Sequence, residues 1–200
     1  LYNNQPGTVW GPEGEFVSAP RLDDLACVFA CTEGFLTAQE RDMVPVLCVF
    51  DNEEIGSETK QGAASVFLPE TLAAISEALG LSAADHRALL ADSMMLSCDN
   101  GHARHPNHPE LADTNEAPVL NGGVVVKHSP RYATDGVSAA VFTELCRRAE
   151  VPVQHYANRP DQMGGSTLGN IADTKLPIPT VDIGMAQLAM HSCFETMGSR

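Results

Sequence analysis

Between residues 24 and 36, Leu25, Val28, Phe29, Phe35 and Leu36 fall near one face at helical spacing, which predicts a helix. The run 44–50 is almost wholly apolar and rich in valine, a pattern that suits a strand covered on both faces, so a buried central strand is expected there. Leu68, Leu72, Ile75 and Leu79 recur at helical intervals, with Pro69 suited to a first turn or an interruption and Gly80 to a C-terminal stop. Short strands are predicted at 94–98 and 123–127, separated by a polar loop carrying His102, His105, Pro106, His108 and Pro109. Val137, Val141 and Leu145 repeat at helical spacing within 135–148 and predict another helix. Residues 153–157 and 178–183 read as strands, and a final helix is expected from about Met185. Strands alternating with helices indicate an α/β fold with a largely parallel central sheet and helices on both faces.

Composition narrows the range of partners. With 44% hydrophobic residues in 200, the chain can bury a real core and is not expected to be disordered. Twelve Lys and Arg against 26 Asp and Glu give a formal charge of -14, which repels phosphate backbones and anionic lipid. Neither nucleic acid nor a membrane surface is an expected partner. No apolar run approaches the ~20 residues that span a bilayer, and the first residues lack a signal-peptide plan, so a soluble protein is expected. Cys27, Cys31, Cys48, Cys98, Cys146 and Cys193 form no Cys-x-x-Cys pair and stand mostly in apolar runs, which suits reduced thiols in the cytoplasm. The chain starts at Leu1 without an initiator Met, and a portion of something longer is the expectation.

In a parallel α/β sheet, ligands gather beyond the carboxyl ends of the strands, so polar residues there carry the candidate chemistry. Asp51-Asn52-Glu53-Glu54 places three carboxylates in a short stretch directly after an apolar run. Crowding like charges is unfavourable unless a cation compensates, although acids at a helix N-terminus are the simpler explanation of most such clusters. Asp99 follows another apolar run, with His102, His105 and His108 close behind it, and carboxylate plus imidazole is a donor set for zinc, manganese or cobalt. Taken singly, Asp99 reads equally as a turn acid and each histidine as a solvated loop residue. His191, in the apolar setting Leu188-Ala189-Met190-His191-Ser192, reads by default as a hydrogen-bonded core histidine.

Four segments in this order resemble the M18 family of metalloaminopeptidases, the aspartyl aminopeptidases. Ser18-Ala19-Pro20-Arg21-Leu22-Asp23-Asp24-Leu25 is similar to the family's bridging-aspartate motif, and Asp51-Asn52-Glu53-Glu54-Ile55-Gly56-Ser57 to its paired-glutamate motif. The stretch from Asp99 through Asn107 and Gln187-Leu188-Ala189-Met190-His191-Ser192 complete the pattern. The resemblance implies a co-catalytic zinc aminopeptidase-like fold and two divalent metal ions, zinc first, with manganese or cobalt as alternatives. Asp23 would bridge the ions, Glu54 and His191 would complete one site, Asp99 would belong to the other, and Glu53 would be the general base. Lys127, with His102 and Tyr132 lining the same pocket, is similar in position to the family's lysine for acidic substrate side chains.

Two departures from the family pattern stand out. Asp24 replaces the Asn that follows the bridging aspartate in other members, and either residue can hold the ligand loop by hydrogen bonding. The family's second metal also takes a histidine from an upstream His-x-Asp motif, and nothing before Asp23 contains a histidine. Residues 1–200 are therefore expected to be the C-terminal part of the di-metal catalytic domain, without that segment or the family's inserted oligomerisation domain. The resemblance implies removal of N-terminal Asp or Glu from peptides by a large homo-oligomer. Alternatives are a related di-metal peptidase or deacylase with another substrate, and a catalytically silent assembly subunit.

Overall fold

A computed structural model describes residues 2–39, 42–162 and 164–200. The elements in chain order are β1 (Thr8–Trp10), β2 (Phe16–Ala19), α1 (Leu22–Thr37), α2 (Phe67–Ala78), α3 (Ala83–Ala91), β3 (Met95–Cys98) and β4 (Gly101–His102). They continue with β5 (Val124–His128), α4 (Gly136–Arg148), β6 (Val153–Ala157), α5 (Leu168–Asp173), β7 (Thr180–Gly184), β8 (Ala186–Leu188) and β9 (Glu195–Gly198). Short 3-10 turns occur at Glu53–Ile55 and Pro109–Leu111.

The α/β architecture expected from the alternation is present. One sheet has the order β3-β7-β5-β6, in which β3 with β7 and β5 with β6 are parallel, while β5 and β7 run antiparallel. Its core is Val126, Val181 and Ile183 packed against Ala139, Phe142 and Cys146 of α4. The apolar stripe of α4 is complemented by its N-cap, where the Asp135 carboxylate accepts from Val137 N at 2.8 Å and Ser138 N at 2.7 Å. On the other face of β5, Val125 packs with Ala103 and Ala186. That face leads to a second sheet, β1-β2-β9-β8-β4, in which only β4 and β8 are parallel. Among the described residues no helix is long and apolar enough to cross a membrane.

Two predicted elements are corrected. Residues 44–50 form no strand, and Val44, Val46 and Val49 are exposed. Apolar character shows that a run favours burial, but a strand exists only where a neighbouring edge pairs with it, and among the described residues none does. The final helix is absent: 186–188 and 195–198 are β8 and β9, joined by a loop in which Ala189 and His191 adopt left-handed φ of 57° and 65°. Ala, Met, Gln and Leu are good helix formers, yet pairing of β8 with both β4 and β9 overrides that local preference.

Elsewhere the differences are smaller. Asp23 and Asp24 are non-helical, so regular helix in α1 begins after them, and the apolar face that signals this helix remains largely exposed at Leu25, Phe29 and Leu36. Pro69 lies in the first turn of α2, and Gly80, at φ 77°, follows its end. Helix α3 lacks an apolar stripe, and its sequence signal is Ser82-Ala83-Ala84-Asp85, a reciprocal capping box.

Candidate metal centre

Strand β2 ends at Ala19, and the chain turns through Arg21 in a left-handed conformation before presenting Asp23 ahead of the regular part of α1. The Asp23–Asp24 peptide is cis. Glu53 and Glu54 sit on a tight 3-10 turn bounded by Asn52 at φ 62° and Gly56 at φ 100°, both left-handed, so neighbouring glutamates leave the turn in different directions. Asp99 directly follows β3, its N–H donating to Ile183 O of β7 at 3.0 Å. His191 is carried by the loop between β8 and β9.

These scattered residues converge. His191 Nε2 lies 3.2 Å from Asp23 Oδ2 and 3.1 Å from Glu54 Oε2. Ligand atoms of Asp23, Glu54 and His191 all lie within 4.8 Å of one another, as do those of Asp23, Asp24 and Asp99. Asp24 also accepts from Asn100 N at 3.2 Å, tying the Asp23 segment to the end of β3. Lys127, buried on β5, donates from Nζ to Asp99 Oδ2 at 2.9 Å and to Asn100 O at 2.6 Å. The Lys127 ammonium lies 5.7 Å from the centroid of the Tyr132 ring. Asp23, Glu53, Glu54, Asp99, His102, Lys127, Tyr132 and His191 all line one cavity of about 740 Å³.

The electrostatics show a shortage of positive charge. Burial, followed by the charges of Asp99 and Glu54, raises the Asp23 carboxyl to about 7. Burial likewise lifts Asp24 to about 8, and burial with the Asp99 and Glu54 charges lifts Glu53 to about 7. Burial first, then the charges of Asp99 and Asp182, pushes the Tyr132 phenol up to about 12. Asp23 Oδ1 is buried without a hydrogen-bond partner. Such an orphaned oxygen is costly unless something coordinates it. A divalent cation fits this donor set: carboxylates and an imidazole meet at one point, one oxygen is unsatisfied, and Lys127 offsets only part of the negative charge.

Sequence reasoning missed three side chains that build the site. Asn100 is 2% exposed and donates from Nδ2 to Leu22 O at 3.0 Å and to Gln187 Oε1 at 2.9 Å, locking the α1 entry to β8. Asp182, on β7, accepts from Thr167 Oγ1 at 2.7 Å and Ala133 N at 2.5 Å, holding two cavity loops. Glu195, on β9, is 2% exposed and contacts both Asp23 and His191 through backbone amides. An acid inside a strand-forming run was the available signal for Asp182, whereas Glu195 lay hidden in a segment expected to be helical.

A carboxylate–imidazole cluster of this kind is a donor set suited to a divalent metal. The sequence profile described as Aminopeptidase I zinc metalloprotease (M18) matches residues 1–200. The chain is 45% identical over 200 residues to a probable M18 family aminopeptidase 2 of Clostridium novyi, covering 99% of this chain and 46% of that protein. A protein of the same description from Mycobacterium leprae is 43% identical over 196 residues, covering 97% and 46%. Among solved structures, yeast aminopeptidase 1 superimposes with a TM-score of 0.87 at 35% identity, covering 99% of this chain and 46% of that one. A dodecamer of mApe1 from S. cerevisiae superimposes at 0.85 with 33% identity, covering 99% and 45%. The chain belongs to the M18 family of aminopeptidases, and it spans about half the length of the curated relatives it matches.

Proposed function

We propose that the protein is a metal-dependent aminopeptidase that removes N-terminal residues, preferentially Asp and Glu, from peptides. The observation that carries this reading is the buried Asp23 carboxylate, with one orphaned oxygen and with Glu54 and His191 converging on it. Asp23, Glu54 and His191 would hold one divalent ion, and Asp23 with Asp99 part of a second site. The second site's remaining ligand would be a histidine from the part of its relatives that this chain does not span. Zinc agrees with the family description, and the mixed oxygen–nitrogen donor set also accepts manganese or cobalt. When bound, such ions supply Lewis acidity to the scissile carbonyl and to the attacking water.

The protein's own groups account for the proton traffic. Glu53 lines the same cavity without belonging to either ligand cluster, which leaves its carboxylate available to accept and release a proton. It takes the proton of the attacking water and delivers it to the leaving amine. The cavity wall bears Lys127, His102 and Tyr132, and the Lys127 ammonium, already facing Asp99, is the cation that an acidic substrate side chain would share. Assembly into a homo-oligomer is proposed by analogy with the mApe1 dodecamer.

Metal content and hydrolysis of Asp-, Glu- and Ala-peptides by the full-length protein test the reading. The expected result is bound divalent metal, loss of turnover on chelation and a higher kcat/KM for Asp and Glu. Metal without acidic preference would leave a related peptidase or deacylase, and absence of both metal and hydrolysis would leave an assembly subunit.

A further inference from the structure

Two candidate ligands from opposite ends of the chain are fastened by a single side chain. Glu195 Oε2 accepts the Asp23 N–H at 2.9 Å and Oε1 accepts the His191 N–H at 2.7 Å. Glu195 opens β9 opposite Ala19 of β2, so its main chain is fixed by the sheet, and the side chain is 2% exposed. One of the two backbones that it holds is unusual. Asp23 is non-helical at the entry to α1, and His191 stands at φ 65° in a loop that also contains left-handed Ala189. A β-carbon residue visits that region at a cost and remains there only when its surroundings over-determine it.

Placement of this carboxylate is electrostatically adverse. Its charge adds to those of Glu54 and Asp99 around Asp23, and among the described residues no lysine, arginine or histidine side chain pairs with it. A neutral residue would close the same loop without that repulsion. What a glutamate adds is two acceptor oxygens at one carbon, enough to receive both amides at once.

We propose that Glu195 is a positioning residue of the metal centre, clamping Asp23 and His191 together through their backbone amides so that their side chains meet one divalent cation. The inference rests on the metal-centre reading above. It acts through the ligands, as outer-shell partners do when they set ligand orientation, and loss of such a partner typically weakens metal affinity ~10–100-fold.

The test is chelator-buffered Zn²⁺ titration of the full-length protein and of Glu195→Gln, which preserves size but turns a donor toward one of the two amides. Wild type should bind tightly and Glu195→Gln ~10–100-fold more weakly, with kcat recovering at excess zinc and KM unchanged. Glu195→Asp, one methylene short, should reach one amide and fall between them. A role confined to loop stability would lower the melting temperature and leave zinc affinity alone. Zinc affinity within twofold of wild type in Glu195→Gln overturns the inference while leaving the metal centre intact, whereas wild type that binds no zinc overturns both. Should the variant fail to fold, amide exchange in metal-free wild type decides: protected Asp23 and His191 N–H groups support the clamp, and free exchange at both overturns it.

Discussion

Replacing Lys127 by methionine keeps most of the side chain's length and apolar stem while deleting the ammonium that faces Asp99. That ammonium is enclosed, with 2% of the lysine side chain and 13% of the Asp99 side chain exposed, and its contact distance is 2.9 Å. At an effective dielectric of about 20, unit charges ~4 Å apart attract by ~4 kcal/mol, and removing one partner of a buried pair typically costs ~3–5 kcal/mol. The Asn100 carbonyl also loses its 2.6 Å donor, and Asp99 is left near Asp23 and Asp24, which already repel it. Loss of ~3–5 kcal/mol is therefore expected for Lys127→Met in the presence of chelator, read from urea denaturation with EDTA. Saturating Zn²⁺ should narrow the gap, because a cation among Asp23, Asp24 and Asp99 supplies the missing charge. A loss below ~1 kcal/mol in EDTA would refute the idea that Lys127 balances the acidic cluster, since that is the range of an exposed pair.

Other outcomes follow from the same geometry. Glu53→Gln should retain metal but lower kcat ~10²–10⁴-fold, since the amide cannot accept the water's proton; equal metal loss in Glu53→Gln and Glu54→Gln would show that the division into base and ligand is wrong. Lys127→Ala should reduce kcat/KM for Asp- and Glu-peptides more than for Ala-peptides, and a uniform fall would remove it from specificity. Phe142→Ala, which empties the contact between α4 and the four-stranded sheet, should cost ~3–5 kcal/mol in urea denaturation, with less than ~1 kcal/mol contradicting the assigned core. His128 Nε2 and His155 Nδ1 are 3.0 Å apart, and burial followed by the His155 charge depresses the His128 pKa. A base whose folded pKa lies below its unfolded value contributes stability above the unfolded value, near 6.5, and loses it as pH falls through the folded one. Denaturation at pH 7.5 and 5.5 should then show a smaller acid-induced loss for His128→Asn than for wild type, and identical losses would exclude the pair as its source.

Local information was enough for much of this protein. The helical spacing of Val137, Val141 and Leu145 and of Leu68, Leu72 and Ile75 marked α4 and α2, because a helix closes its own hydrogen bonds locally; yet Val137, Val141, Leu145 and Ile75 stay exposed, and the face of α4 that meets the sheet is Ala139, Phe142 and Cys146. Strands at 95–98, 124–128, 153–157 and 180–184 were legible in the sequence within a residue or two of their ends. Ordered motifs around Asp23, Glu53–Glu54, Asp99 and His191 pointed to the candidate metal centre through their resemblance to the M18 family, since each motif contributes a single proposed ligand and the four are scattered along the chain. The rest depended on distant partners. Residues 44–50 have strand composition, but composition provides no neighbouring edge, while 186–188 has helix-compatible composition and becomes a strand because β4 and β9 flank it. Glu195 carries no local mark of its role, since its contact with Asp23 spans 172 residues of sequence. Propensity and periodicity act over one or two turns of chain, whereas strand pairing, charge compensation and the meeting of ligand atoms are decided by which segments the fold brings within a few ångströms of one another.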